Sequence, residues 1–154
     1  MTVPFQRLVD EYGDDVWRFL VASVGVQGAE DCWQDTFLSA MKAYGRTTNH
    51  TNPKSWLLTI TGRKAIDHHR SKARRAVPVE QTPEGVTLPA PERDDRLWSQ
   101  VRDLPEKQRL CVAYRFVIDL PYADVGRMTG ISEAAARRNV HEAVKKLREE
   151  LAHG

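Results

Sequence analysis

The sequence predicts an all-α protein: two small helical modules joined by a proline-rich linker. Three observations predict it. Apolar residues recur at spacings of three and four along most of the chain, and no alternating run marks a strand. Pro78, Pro83, Pro89 and Pro91, half of the 8 prolines, fall together in a stretch without apolar periodicity. A Thr129-Gly130-Ile131-Ser132 turn separates two further helical stretches. With 154 residues, 41% of them hydrophobic, the chain suffices for one ordinary domain or two very small ones and excludes a large enzyme scaffold.

The first helix carries Phe5, Leu8, Val9, Tyr12, Val16, Phe19 and Leu20 on one face. Val21 to Gly28 interrupts the pattern. Glu30 and Asp31 suit the positive end of a second helix's dipole, and Trp33, Phe37, Ala40 or Met41, and Tyr44 form its inward stripe. Asp31, Gln34 and Asp35 then face outward. Gly45 ends this helix, residues 46–51 form a polar loop, and Asn52-Pro53 reads as an N-cap followed by proline at the first helical position. A third helix runs through Trp56, Leu57, Ile60 and Ile66 into a basic tail.

Beyond the linker, a short helix spans Arg96 to Val101, and Pro105 opens another that leads through Leu110, Val112, Ala113 and Phe116. Tyr122 to Met128 is a short helix whose small Ala123 and Gly126 allow a close crossing. Gly130 supplies the positive φ of the turn, and Ser132 caps a last helix ending near Leu151. That helix buries Ala136, Val140, Val144, Leu147 and Leu151. The modules are thus residues 1–75 and 93–154, with 76–92 as a flexible linker.

Charge is uneven along the chain. The 23 Lys+Arg against 21 Asp+Glu leave a net +2, so nucleic-acid binding must rest on local basic clusters. Residues 62–75 hold six basic side chains and one acidic one, whereas residues 76–95 hold one basic and five acidic. Arg63, Lys64, Arg70, Lys72, Arg74 and Arg75 form either a phosphate-binding face or a solvated helix end favoured by the dipole. On the last helix Arg137, Arg138, His141 and Lys145 face outward. With Ser132 and Glu133 at its start they suit contacts in a major groove; an ordinary helical hairpin with a Glu133–Arg137 ion pair is the alternative.

Cys32 and Cys111 lie far apart among apolar neighbours, as reduced packing residues do, so no disulfide, metal site or cofactor is expected. Neither a signal peptide nor a membrane span is visible, and a cytoplasmic protein without membrane insertion is expected. Three short matches to catalytic motifs fail on context. Asp67-His68-His69 needs further aspartates set by a parallel sheet, Ser39-Ala40-Met41-Lys42 lacks its companion motifs, and His141-Glu142 lacks a second histidine. The expectation is a protein that is not an enzyme.

Several segments in order carry a resemblance: the Phe5 to Phe19 stripe, Ala29-Glu30-Asp31-Cys32-Trp33-Gln34-Asp35-Thr36-Phe37, Pro53-Lys54-Ser55-Trp56-Leu57, Ala65-Ile66-Asp67-His68-His69-Arg70, Leu104-Pro105-Glu106-Lys107-Gln108-Arg109 and the helix-turn-helix. Together they resemble a bacterial extracytoplasmic-function (ECF, group 4) sigma factor of the sigma-70 family, the minimal class that keeps regions 2 and 4. The resemblance covers nearly everything except residues 76–92. It implies an RNA polymerase sigma factor that directs core polymerase to specific promoters and initiates transcription. Asp31, Gln34 and Asp35 would dock on a coiled coil of the largest polymerase subunit. Arg63, Lys64, Arg70, Lys72, Arg74 and Arg75 would lie along the upstream edge of the melted promoter element, with Asn49 and His50 in a pocket for a flipped base. The last helix would read the upstream promoter DNA, and an anti-sigma factor is a possible regulator.

The chain departs from the family pattern in two places. Gly62-Arg63 stands where arginine and asparagine are common. Ala134-Ala135-Ala136-Arg137-Arg138-Asn139 replaces the common recognition-helix stretch, with Glu142 and Val144 at positions that are usually arginine, so fewer cations face the phosphates. The other open reading is a helix-turn-helix DNA-binding transcriptional regulator that does not load onto polymerase, with residues 1–75 as a ligand or dimerisation domain.

Overall fold

A computed structural model of the chain describes residues 4–46, 52–75 and 95–153. Among them the helices are α1 Phe5–Val24, α2 Val26–Tyr44, α3 Pro53–Arg74, α4 Asp95–Arg102, α5 Glu106–Val112, α6 Tyr122–Thr129 and α7 Glu133–Ala152. A π-helical turn, Ala113–Val117, continues α5, and the described residues contain no strand. The all-helical expectation is met; the proposed linker lies outside the described residues.

The break expected over Val21 to Gly28 shrinks to one residue. Gly25, at φ 88°, donates its N–H to the Val21 carbonyl and accepts from the Ala29 N–H, both at 3.0 Å, so it closes α1 and opens α2 at once. A side chain at that φ is strained, which is why one glycine can do what the sequence spread over eight positions. Leu8, Val16, Phe19 and Leu20 are buried as their spacing requires. On α2 the buried line is Cys32, Thr36 and Ala40, at intervals of four, and Met41 lies 53% exposed. Of the two candidates for that position the smaller one turns inward, because the next residue along a helix points about 100° away. Trp33 ties α2 to α1: its Nε1–H donates to the Gly13 carbonyl at 3.0 Å, and its ring packs 4.5 Å from that of Phe37.

Asn52 caps α3 as its type predicts, accepting the Ser55 N–H at 3.1 Å with Pro53 in the first turn. Thr36 and Thr61 are buried without cost in lost hydrogen bonds, since their hydroxyls donate to the Cys32 and Leu57 carbonyls at 2.7 and 2.8 Å. In the second half, Val101, Leu104, Val112, Ala143 and Leu147 form a small core between α4, α5 and α7, with Trp98 packed on it.

Phe116, the last apolar residue assigned from the sequence to the helix that Pro105 opens, is 56% exposed. The reason is the π turn. The Ile118 N–H reaches back five residues to the Ala113 carbonyl at 3.4 Å, so the inward face advances and a period of 3.6 no longer locates it. Tyr114 points inward instead, into the first half of the molecule. It is 1% exposed, its ring centroid lies 4.7 Å from that of Phe19, and its hydroxyl donates to the Leu58 carbonyl at 2.7 Å. A core of buried residues is therefore continuous from Val16 and Phe19 through Leu58 and Tyr114 to Val125 and Val140.

Gly62 makes room for this contact: a Cβ there would fall 2.1 Å from the Tyr114 hydroxyl oxygen. Gly62→Ala is therefore expected to destabilise the protein by about 1–3 kcal/mol, the usual cost of overpacking. Tyr114→Phe, which removes the nearest atom, is expected to recover part of that loss in the double variant. Urea unfolding of the singles and the double checks it, and strictly additive losses would contradict it.

Candidate functional site

Three surfaces carry the predicted residues. On α2, Asp31, Gln34 and Asp35 are all exposed, opposite the Cys32–Thr36–Ala40 line. Leu38 and Met41, 51% and 53% exposed, continue the same outward surface one turn further on. Apolar type by itself gives no reason to put them on this surface; the phase of the Cys32, Thr36, Ala40 line places them outside. The result is a helix face with carboxylates at one end and bare hydrocarbon at the other.

On α3, Arg63, Arg70, Lys72, Arg74 and Arg75 are exposed and Lys64 is half-buried. Arg70 differs from the rest, reaching across to Glu106 on α5 with Nε and Nη2 each 3.0 Å from a carboxylate oxygen. Asn49 and His50 lie outside the described residues. Asp67-His68-His69 has a structural use. The His69 Nε2–H donates to the Ser23 carbonyl, and the His68 ring lies so close to Gly28 that a Cβ there would fall 2.6 Å from its Nε2. Burial draws both imidazoles below their ordinary pKa. They hold α3 to α1 and α2, and no group of His, Cys, Asp and Glu among the described residues is arranged to hold a metal ion.

The third surface is the helix-turn-helix. Gly130 is left-handed at φ 75°, the Ile131 N–H donates to the Gly126 carbonyl at 2.9 Å, and Ser132 Oγ accepts the Ala135 N–H at 3.0 Å to start α7. Gly126 is the residue at the crossing, for a Cβ there would sit 2.8 Å from the Ile131 carbonyl oxygen; Ala123, expected beside it, is exposed. Arg137, Arg138, His141 and Lys145 all face solvent. Arg137 is held in place twice, by Glu133 at 3.0 Å and by the Tyr122 ring 4.7 Å beneath its guanidinium. The predicted ion pair is thus present, and it leaves the arginine at the surface. Between α7 and the segment leading into α6 runs an open groove of about 560 Å³, floored by Phe116 and Tyr122 and rimmed by Arg137, Arg138, His141 and Arg148.

The two thiols complete the chemical inventory. Both are buried and unpaired with each other. Burial, then the nearby Asp35 and Asp31 carboxylates, pushes the Cys32 thiol up to about 11, and burial raises that of Cys111 as well. Thiols so far from ionisation are poor nucleophiles and poor metal ligands.

Residues 8–75 match the Sigma-70 region 2 family and residues 101–149 match Sigma-70, region 4. RNA polymerase sigma factor CarQ of Myxococcus xanthus is 30% identical over 96% of this chain and 88% of its own length. ECF RNA polymerase sigma factor SigF of Caulobacter vibrioides is 30% identical over 79% of this chain and 70% of its own. The chain belongs to the ECF class of the sigma-70 family. ECF RNA polymerase sigma factor BldN of Streptomyces coelicolor is 33% identical over 93% of this chain, which spans only 58% of that longer protein. In fold, the sigma factor RpoE of Bartonella quintana, solved with the anti-sigma factor NepR, has a TM-score of 0.74 at 20% identity and 96% coverage of both chains. CnrH, solved with the cytosolic domain of CnrY, gives 0.71 at 18% identity, covering 97% of this chain and 88% of that one.

In this sigma-70 family member the α6–α7 angle depends on Gly126. Because the obstacle is a backbone carbonyl rather than a flexible side chain, Gly126→Ala is expected to cost about 1–3 kcal/mol. Ala123→Ser on the exposed face is expected to stay within about 0.5 kcal/mol of the parent. Thermal unfolding monitored by circular dichroism compares the two, and equal stability of both variants would contradict the assignment.

Proposed function

We propose that this chain is an RNA polymerase sigma factor that brings core polymerase to specific promoters and supports initiation there. The observation that carries the reading is the presence in one chain of regions 2 and 4, in that order, with a carboxylate-bearing face on α2 and cationic faces on α3 and α7. Residues 1–75 and 93–154 act as the two working modules, with 76–92 as the tether between them. Asp31, Gln34 and Asp35 contact a cationic surface of core polymerase, aided by the exposed Leu38 and Met41. Arg63, Lys64, Arg70, Lys72, Arg74 and Arg75 neutralise phosphates beside the melted element, and Asn49 and His50 contact an extruded base. Ser132, Glu133, Arg137, Arg138, His141 and Lys145 engage the upstream element. Each contact is weak, and joining them in one chain raises the effective concentration of the second once the first has formed.

The nucleotide chemistry belongs to polymerase, so no catalytic group is assigned to this chain. No described helix is long and apolar enough to cross a membrane; the cytoplasmic place of action proposed here follows from the proposed partner, core polymerase. RpoE and CnrH were each solved with a partner, the first with the anti-sigma factor NepR, and an anti-sigma partner is proposed here by that likeness.

In-vitro transcription with purified core polymerase, with and without the chain, is expected to give promoter-specific transcripts only with it. Absence of transcripts combined with duplex binding by a symmetric dimer would identify a regulator that does not load onto polymerase. Charge reversal at Asp31 and Asp35 with Gln34→Ala is expected to weaken association with core while leaving helicity intact; unaltered affinity would remove this face from the interface. Arg137→Ala and Arg138→Ala, compared on matched and scrambled upstream elements, separate two roles. Loss of a guanine contact removes about 1–3 kcal/mol of discrimination, whereas loss of a phosphate contact weakens all sequences alike and flattens the salt slope.

A further inference from the structure

Arg70 and Glu106 are 36 residues apart and belong to different modules, yet they form a two-bonded pair, Nε to Oε1 and Nη2 to Oε2, each at 3.0 Å. Two parallel N–H···O bonds are the way a guanidinium holds a carboxylate, and equally the way it holds a phosphate. Glu106 is fixed by its place in the first turn of α5, directly after Pro105. The buried Arg109, one turn later on the same helix, also feels its charge, so Glu106 stands between a cation from each half. The pair lies at the surface, with the Arg70 side chain 61% exposed and that of Glu106 32%. A pair this open is weak enough to exchange partners.

We propose that Glu106 is a phosphate surrogate: while the modules are packed together it occupies the Arg70 guanidinium, and the nucleic-acid backbone replaces it when they part. The closed chain is thereby restrained from binding single strands through α3. Opening α5 away from α3 releases this cation to act beside Arg63, Lys72, Arg74 and Arg75, which are exposed in the packed state already. The proposal rests on the reading of α3 as a nucleic-acid surface. It adds a residue of region 4 that competes with the nucleic acid for a residue of region 2.

The test uses the full chain and a labelled 20-nucleotide single-stranded DNA of mixed sequence, with binding followed by fluorescence anisotropy at several salt concentrations. Glu106→Gln, which keeps shape and removes charge, is expected to tighten binding about two- to fivefold, the range an exposed ion pair supplies. It is also expected to steepen the salt dependence by about 0.7 in log K against log salt, one additional phosphate on a single strand. In an Arg70→Ala background the same substitution is expected to change nothing, since the gain requires the guanidinium. Circular dichroism confirms that each variant keeps its helices. Equal affinity of Glu106→Gln and the parent, or an equal gain with Ala at position 70, overturns the proposal. Arg74→Ala with Arg75→Ala tests the reading beneath it. If that variant binds as the parent does, α3 is not a nucleic-acid surface and the surrogate falls with it. If it binds more weakly while Glu106→Gln has no effect, the surrogate alone is overturned.

Discussion

A buried phenol must find an acceptor, and the way Tyr114 finds one determines how the halves of this molecule meet. Its hydroxyl donates to the Leu58 carbonyl, already inside a helix, and its ring lies on Phe19. An unpaired hydroxyl in that position would cost about 1–3 kcal/mol. Burial also drives its pKa well above the ordinary phenol range, so it stays a donor at any pH the protein meets. The contact demands that α3 present no side chain at position 62, and Gly62 is buried beneath the hydroxyl. The departure from the family's common arginine at that position therefore has a packing cause.

Around that contact the polar groups divide by depth. Inside, hydroxyls and imidazoles are satisfied by backbone carbonyls: Ser23 and Thr36 by carbonyls one turn back, His69 by Ser23. Outside stand the charged groups: the Asp31 and Asp35 carboxylates on α2, the basic run of α3, and a mixture on α7 in which Arg137, Arg138 and Lys145 alternate with Glu133 and Glu142. Burial raises both thiols and lowers both imidazoles from their ordinary pKa values, and the groups able to engage a partner stand on helices at the surface.

Local chemistry was legible in the sequence. The caps at Asn52 and Ser132 and the left-handed Gly130 depend on neighbours within three residues, so residue type was enough to find them. The outward orientation of Asp31, Gln34, Asp35, Arg137 and Arg138 followed from the phase of the apolar stripes. What failed was phase where the stripe was ambiguous or the helix irregular. Ala40 and Met41 were both offered, and the tighter line through Cys32 and Thr36 excluded Met41. The outward turn of Phe116 after a π turn has no mark in the local pattern, and Ala123 was misplaced by the assumption that any small residue marks a crossing. Contacts between distant segments left no local trace: nothing near Leu58 or Gly62 announces Tyr114, and nothing near Arg70 announces Glu106.

The π turn at Ala113–Val117 gives chain length at this point a meaning that a loop would not have. A wide turn of this kind takes up one residue more than an α turn, so the chain beyond it keeps about the direction it would have after a regular turn one residue shorter. Removing a single codon there would not shorten a connection; it would let a regular turn close in place of the wide one and leave the aim of α6 and α7 as it is.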